Sequence, residues 1–171
     1  KLIKYLKRKY DLKIIAGSES NVFSRYKIFD NNKDFPIIRL TGDNPLIDPI
    51  LIDNFINEFQ KSNVDYLTTR GMCHSKKWRV KSDFPKGISL EIFSSKKLFA
   101  NKDNFNKSNY QFPTWFFYNK KSGVKTKKFC SFGSIRKYKS RRSFTIDTFS
   151  DLINIKTFIK INKCKPGENN F

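Results

Sequence analysis

The chain has 171 residues, of which 38% are hydrophobic and 18 are phenylalanine. This composition favours a folded core over disorder, and a domain of this length buries roughly 70% of its unfolded surface. No apolar run approaches the ~20 residues that a membrane-spanning helix needs. We predict a single domain over residues 1–165, a tail at 166–171, and no membrane partner.

Lys and Arg outnumber Asp and Glu by 35 to 15, which gives a net charge of +20. A charge of this size attracts nucleic acid without regard to its sequence. The basic residues are nevertheless scattered, with their densest cluster at 136–142, and they accompany the Asn, Ile and Phe bias typical of an AT-rich genome. We expect nucleic acid to bind non-specifically, and a dedicated nucleic-acid-binding protein remains an alternative.

Cysteine and histidine usage excludes several classes of site. Cys73, Cys130 and Cys164 are far apart and form no C-x-x-C pair, and His74 is the single histidine. This pattern is typical of reduced cytoplasmic thiols rather than of a disulfide framework or a zinc site. We therefore predict a cytoplasmic protein without histidine-based metal or triad chemistry.

The first third of the chain alternates helix and strand signals. We predict a helix at its start, a strand at 12–15, a helix from 20 to about 29 capped by Ser20, and a strand at 36–40. Asp48 as N-cap and Pro49 at the first helical position then begin an amphipathic helix to about residue 60. Its apolar stripe predicts one face packed on a sheet.

The turn between that strand and helix carries Asp43 at its tip. A strand that ends in Gly-Asp places the carboxylate at the carboxyl edge of a sheet, where open α/β folds bind ligands. A carboxylate there suits a hard cation and the phosphates that it carries. The alternative is a turn aspartate that bonds its own backbone.

The rest of the chain continues the alternation. Thr148-x-x-Asp151 is a capping box that opens a last helix, and the aromatic run at 114–118 either packs in the core or stacks a base or sugar. Residues 101–109 are predicted to be loop. Further strands are expected at 66–69, 88–93, 128–132 and 143–146, with a helix beginning at 95. This order predicts a three-layer α/β/α, Rossmann-like fold with a mostly parallel sheet.

Five segments, in order, resemble conserved blocks of the cytidylyltransferase family. That family includes CMP-KDO synthetase, acylneuraminate cytidylyltransferases and, most similar of all, the group around spore coat polysaccharide biosynthesis protein F. The blocks are 17–26 (GSESNVFSRY), 39–49 (RLTGDNPLIDP), 64–66 (VDY), 84–94 (FPKGISLEIFS) and 144–152 (FTIDTFSDL). The resemblance covers nearly the whole chain.

The resemblance implies a nucleotide-diphospho-sugar transferase fold and transfer of CMP from CTP to an acidic sugar, for surface polysaccharide or glycan synthesis. It implies Mg²⁺ held by Asp43 and Asp147, which are also the catalytic carboxylates. From its own position, Asp147 also suits a helix cap, and Ser18 and Asn21 equally suit helix capping beside a solvated Arg25. A homodimer is left open. The matching blocks assign nucleotide contacts to Ser18, Asn21, Arg25, Arg39 and Gly42, and sugar contacts to Lys86, Gly87 and Glu91.

The chain also departs from the family pattern. Nothing matches the family's opening strand and triphosphate loop, so the chain is expected to be a family member lacking its first part, and not to turn over CTP by itself. Ser89 stands where the family has Asp, and Gln111 and Phe112 stand where it has Glu and His. These changes leave a degenerate, non-catalytic homologue as another alternative.

Overall fold

The computed structural model describes residues 2–31, 33–70, 84–118, 123–129 and 143–162. Its helices are α1 (Leu2–Lys9), α2 (Phe23–Tyr26), α3 (Pro49–Lys61), α4 (Ser95–Ala100), α5 (Lys107–Gln111) and α6 (Phe149–Asn162). Its strands are β1 (Pro36–Arg39), β2 (Tyr66–Thr68), β3 (Glu91–Ser94) and β4 (Thr126–Lys128). Short 3₁₀ helices lie at Lys27–Phe29, Lys102–Asn104 and Pro113–Tyr118. In these ranges, no helix is long and apolar enough to cross a bilayer.

The four strands form one mixed sheet in the order β1-β3-β2-β4. Strand β3 pairs antiparallel with both β1 and β2, whereas β2 and β4 pair in parallel. Strands β1, β2 and β4 therefore run in one direction, and β3 runs against them. The α/β class is confirmed, but the parallel pairing was over-predicted, because a reversed strand lies between β1 and β2. Hydrophobic pattern does not report strand direction.

Helices cover both faces of the sheet. Neighbouring residues of β2 and β3 point into different clusters, with Leu67 and Ile92 in one and Tyr66 and Phe93 in the other. The first cluster includes Leu51 and Phe55 of α3 and Ile155 of α6; the second includes Phe23 of α2 and Leu98 and Phe99 of α4. Each such side chain contributes about 1.5–3 kcal/mol when fully buried. The clusters give the three layers that the sequence predicted.

Two helix starts are confirmed in atomic detail. The Asp48 carboxylate accepts a hydrogen bond from the Ile50 amide at 2.8 Å, and Pro49 is the first residue of α3. At α6, the Asp151 carboxylate accepts from the Thr148 amide at 2.8 Å, and Thr148 Oγ1 accepts from the Asp151 amide at 3.2 Å. These bonds satisfy amides that a helix leaves without intrahelical partners.

Three predictions near the start of the chain and before α5 were wrong. Residues 12–15 form no strand, and Leu12 is 60% exposed. The second helix begins at Phe23 rather than after Ser20, and the Asn21 side chain just before it accepts from the Ser24 amide at 3.1 Å. Within the predicted loop at 101–109, reciprocal bonds between Asn106 and Asn109 begin α5. At both helix starts an asparagine side chain accepts a bond from a backbone amide three residues on.

Two of the predicted later strands also differ. Strand β4 begins at Thr126, before the predicted segment 128–132, and ends at Lys128. Residues 130–132 of that segment lie outside the described ranges. Residues 143–146 form no strand. Instead, the Phe144 amide donates to the Lys86 carbonyl at 2.7 Å, and the Ile146 amide donates to the Asp43 carbonyl at 2.8 Å. This segment binds two loops, so its backbone is satisfied without a ladder.

Candidate functional site

Asp43 lies in the turn that leaves β1, and its side chain is exposed. The turn is closed by Asn44, whose side chain donates to Thr41 Oγ1 at 2.7 Å. The Asp43 carbonyl accepts from the Ile146 amide at 2.8 Å. That bond holds the turn beside the residue that precedes Asp147. The backbone segments that carry the two predicted metal carboxylates are therefore direct neighbours.

Lys86 lies beside Asp147, at the junction of these two segments. Its ammonium donates to Asp147 Oδ2 at 2.7 Å, with both side chains more than half exposed. The hydrogen bond to Asp147 raises the pKa of Lys86 above its ordinary value, and the charges of Asp147, Asp151 and Asp43 raise it further. One cation thus lies in the combined field of three carboxylates. The sequence assigned Lys86 to the sugar and gave no sign of this contact, which joins residues 61 positions apart.

Gly87 makes the close approach of these segments possible. Its φ is +94°, and a Cβ atom placed there would lie 2.3 Å from the carbonyl carbon of Phe144. No side chain fits that space, and L-residues disfavour that φ. The adjacent bond from the Phe144 amide to the Lys86 carbonyl measures 2.7 Å. The structure therefore explains this glycine by packing, which fixes the position of the Lys86 backbone; its predicted sugar contact stays a prediction.

Arg39 and Glu91 bind each other. Arg39 Nη1 donates to Glu91 Oε2 at 2.7 Å, and the Tyr66 hydroxyl donates to Glu91 Oε1, also at 2.7 Å. The side chain of Glu91 is 3% exposed, against 27% for Arg39. Burial acts to lower the pKa of Arg39, but the charge and hydrogen bond of Glu91 outweigh it and raise that pKa. This pair lies between β1 and β3, and the predicted substrate contacts of both residues stay predictions.

Ser18, Asn21 and Arg25 form a second local group. Arg25 Nη2 donates to the carbonyls of Gly17 and Ser18 at 3.2 and 2.8 Å, and Ser18 Oγ accepts from the Asn21 amide at 3.0 Å. The guanidinium therefore fixes the loop that precedes α2. The structure brings these three residues together, and their contact with a nucleotide stays a prediction.

The donor set fits one kind of metal site. Among the described residues, no group of three or more His, Cys, Asp or Glu side chains is arranged to hold a metal ion. Magnesium is commonly bound through one or two carboxylates, with waters and substrate phosphates completing its shell. Asp43 and Asp147 are exposed carboxylates on adjoining segments, and the side-chain ammonium of Lys86 bonds Asp147. They suit a cation that arrives with phosphates rather than a closed protein cage.

Comparisons with known proteins relate the chain to cytidylyltransferases. A family model described as Cytidylyltransferase matches residues 16–169. Spore coat polysaccharide biosynthesis protein SpsF of Bacillus subtilis (strain 168) is 41% identical over 59 residues, which are 34% of this chain and 25% of that protein. Uncharacterized protein MJ1063 of Methanocaldococcus jannaschii is 31% identical over 84 residues, 47% of this chain and 29% of that protein. The chain thus spans under a third of these curated relatives.

A solved structure extends the likeness to the whole chain. The chain is similar to a cytidylyltransferase from Leptospira borgpetersenii serovar Hardjo-bovis (strain JB197), with a TM-score of 0.72. The match covers 99% of this chain and 67% of that one, at 19% sequence identity. At that identity, the comparison shows a shared fold, and it confirms the predicted fold class.

Proposed function

The chain belongs to the cytidylyltransferase family, whose model spans residues 16–169, and we propose that its protein activates an acidic sugar with CTP in the cytoplasm, for surface polysaccharide or glycan synthesis. The observation that carries the proposal is the junction of the Asp43 and Asp147 segments, where Ile146 donates to the Asp43 carbonyl. This junction places two carboxylates and the Lys86 ammonium where the chain leaves β1. A charged, exposed group of this kind suits a phosphate-bearing substrate better than an apolar one.

The proposed reaction is a nucleotidyl transfer. A sugar hydroxyl oxygen forms a bond to the α-phosphorus of CTP, and the bond from that phosphorus to the bridging oxygen of the β-phosphate breaks. Pyrophosphate leaves, and the hydroxyl proton passes to a base or to water. The obstacle is electrostatic, since an anionic sugar must approach an anionic triphosphate. Most of the catalytic effect must then come from fixed charges and positioning.

In this proposal, Asp43 and Asp147 hold the magnesium ion that the family implies. When bound, that ion neutralises phosphate charge and aligns the reacting groups. Ser18 and Asn21 lie in or beside the loop that Arg25 fixes, and we propose that they contact the nucleotide. The space beside Gly42 is open, because a Cβ atom placed on this residue would meet no atom within 4 Å outside its chain neighbours.

The sugar side carries the largest departures from the family. Phe112, which stands where the family has histidine, stacks on Trp115 with ring centroids 4.3 Å apart and planes inclined by 13°. Both rings are more than a third exposed. An exposed aromatic face packs against the C–H face of a sugar and offers no charge to it. This supports a sugar with an apolar face or substituent, and the acidic group of the proposed sugar rests on the family alone.

The test is pyrophosphate release by the full-length protein with CTP, Mg²⁺ and a panel of acidic and neutral sugars. We expect Asp43→Asn to lower the rate by about 100-fold or more, because metal-assisted charge neutralisation contributes several kcal/mol. Asp103→Asn is the matched control, since Asp103 is an exposed aspartate in the 3₁₀ helix Lys102–Asn104. Equal rates for the wild type and Asp43→Asn, or no CTP-dependent release with any sugar, would contradict the proposal.

A further inference from the structure

The Lys86–Asp147 ion pair has a feature that a structural role does not explain. It is an exposed pair, with side-chain exposures of 65% and 53%. Exposed pairs of this kind contribute about 0–1 kcal/mol to stability. Yet the backbone under Lys86 is fixed by the Phe144 amide and by the tight packing of Gly87. The fold thus fixes the backbone of Lys86, while its side-chain ammonium takes part in an ion pair that breaks easily.

We propose that Lys86 is a resident counter-ion of the carboxylate site, which leaves Asp147 when a divalent cation and nucleotide bind and then pairs with the nucleotide's phosphates. The inference rests on the proposed function, because it takes Asp43 and Asp147 as the cation site and says that Lys86 bonds Asp147 before nucleotide binds. It concerns the order and coupling of binding, which the family assignment does not address.

The local charges support an exchange of cations. Asp43, Asp147 and Asp151 all act on the Lys86 charge, so one positive charge faces three negative ones. The Asp151 carboxylate is engaged, since it accepts bonds from the amides of Asp147 and Thr148 and from the Thr148 hydroxyl. This leaves Asp43 and Asp147 for a cation. The ammonium bonds only Asp147, whereas a divalent ion between Asp43 and Asp147 brings twice its charge and displaces it.

The lysine side chain suits the second half of the exchange. A compact ammonium on a flexible four-carbon stem can move between partners while its backbone stays in place. Lysine also binds phosphate as a point charge. The exchange would make cation and nucleotide binding cooperative, because phosphates stabilise the released ammonium and the cation stabilises the vacated carboxylate. Such a coupling acts equally in both directions.

The experiment measures binding rather than activity. Mn²⁺ is titrated into the full-length protein without nucleotide, by calorimetry and by the loss of the free-ion electron paramagnetic resonance signal. We expect Lys86→Gln to tighten Mn²⁺ binding by about 3–10-fold, since it removes a competing cation. Lys86→Arg keeps a cation at the site and should bind Mn²⁺ within about twofold of the wild type.

The chain offers a matched control in the Lys127–Glu58 pair, whose Nζ–Oε1 distance of 2.6 Å and half-exposed lysine resemble those of the Lys86 pair. Lys127→Gln removes the same charge and the same kind of bond elsewhere, so it should leave the Mn²⁺ affinity unchanged. The double variant Lys86→Gln/Asp147→Asn should lose the tightened binding. A second titration, of CTP with Mg²⁺, should show weaker nucleotide affinity for Lys86→Gln, by about threefold or more.

Unchanged or weaker Mn²⁺ binding by Lys86→Gln would overturn the inference, and so would the same tightening in Lys127→Gln. A purely structural lysine would also fail to give effects of opposite sign on Mn²⁺ and CTP. The two proposals can fail separately. If the wild type binds CTP and turns it over while Lys86→Gln leaves Mn²⁺ affinity unchanged, the inference alone is wrong. If Lys86→Gln tightens Mn²⁺ binding but no variant binds CTP, the resident counter-ion stands and its proposed release to phosphates fails with the function.

Discussion

Arg39 and Glu91 are register partners on β1 and β3, and their side chains form an ion pair of 2.7 Å between these two strands. The same carboxylate accepts from the hydroxyls of Tyr66 at 2.7 Å and Thr114 at 3.4 Å. Four elements of the chain therefore converge on one buried charge. The pair closes the seam where the reversed strand β3 joins β1, next to the turn that carries Asp43.

Removing Arg39 should destabilise the protein strongly, because Glu91 would keep a buried charge without its cation. Breaking a buried pair in this way costs about 3–5 kcal/mol. We expect a loss in that range for Arg39→Met, and a smaller one for Glu91→Gln, since Arg39 is partly exposed and reaches water. Urea unfolding at neutral pH measures both. Lys127→Gln, which breaks an exposed pair, should lower the free energy of unfolding by at most about 1 kcal/mol. If Arg39→Met lowers it by no more than that, the Arg39 pair contributes no more than a surface pair.

Gly87 and Gly42 should respond in opposite ways to the same substitution. Gly87→Ala places a methyl group 2.3 Å from a backbone atom at a positive φ, so we expect loss of more than about 4 kcal/mol or failure to fold. Gly42→Ala meets no atom within 4 Å and should leave stability nearly unchanged. If the turn contacts nucleotide, Gly42→Ala should still weaken CTP binding. Thermal unfolding and CTP titration separate the two effects, and a stable Gly87→Ala protein would contradict the packing.

The loop at 17–21 should lose protection from exchange when its arginine is removed. In Arg25→Met, the carbonyls of Gly17 and Ser18 lose their donor, so local opening becomes easier. Hydrogen exchange should then accelerate at the Asn21 amide, which bonds Ser18 Oγ. Arg8→Met, at an exposed residue of α1, is the control and should leave that amide unchanged. An unaltered Asn21 exchange rate in Arg25→Met would show that the loop is held by other contacts.

The elements that the sequence predicted well are those encoded locally. Asp48 and Pro49 define the start of α3, and the Thr148-x-x-Asp151 box defines the start of α6, because caps act over two to four residues. The apolar stripe of α3 likewise placed Leu51 and Phe55 in the core. In each case the sequence signal lies within one to three helical turns.

Apart from the locally capped start of α5, the main features that it missed depend on distant contacts. Lys86 reaches Asp147 across 61 positions, and Arg39 reaches Glu91 across 52. Neither separation leaves a periodic signal in the sequence. The reversed direction of β3 and the close approach at Gly87 are also fixed by the packed fold. The resemblance named candidate site residues, but only the structure shows which of them bind one another.

Acid should weaken the start of α6 through Asp151. Hydrogen bonds from the Thr148 side chain and backbone lower the pKa of Asp151 below its ordinary value of 3.8. Because the folded-state pKa lies below the unfolded one, the stabilisation is complete above about pH 4 and is lost as the pH falls through the folded-state value. Thr148→Val should raise the pKa of Asp151 in an NMR titration and lower Tm at pH 7 more than at pH 2. The exposed Thr157→Val on the same helix is the control, and an unshifted Asp151 would contradict the capping box.

Nucleic acid should bind this protein weakly and without sequence preference. The net charge is +20, but it comes from lysines scattered along the chain, and the densest cluster, at 136–142, lies outside the described residues. Charge alone gives a Kd on the order of 10⁻⁴–10⁻⁶ M at physiological salt, with log K falling by about 0.9 per neutralised phosphate for each decade of salt on duplex DNA. Fluorescence anisotropy with several unrelated duplexes and RNAs over a salt series measures both quantities, with scrambled competitors as controls. Nanomolar binding to one sequence that survives competitor at physiological salt would favour a nucleic-acid-binding protein over the proposed enzyme, because scattered charge gives no sequence readout.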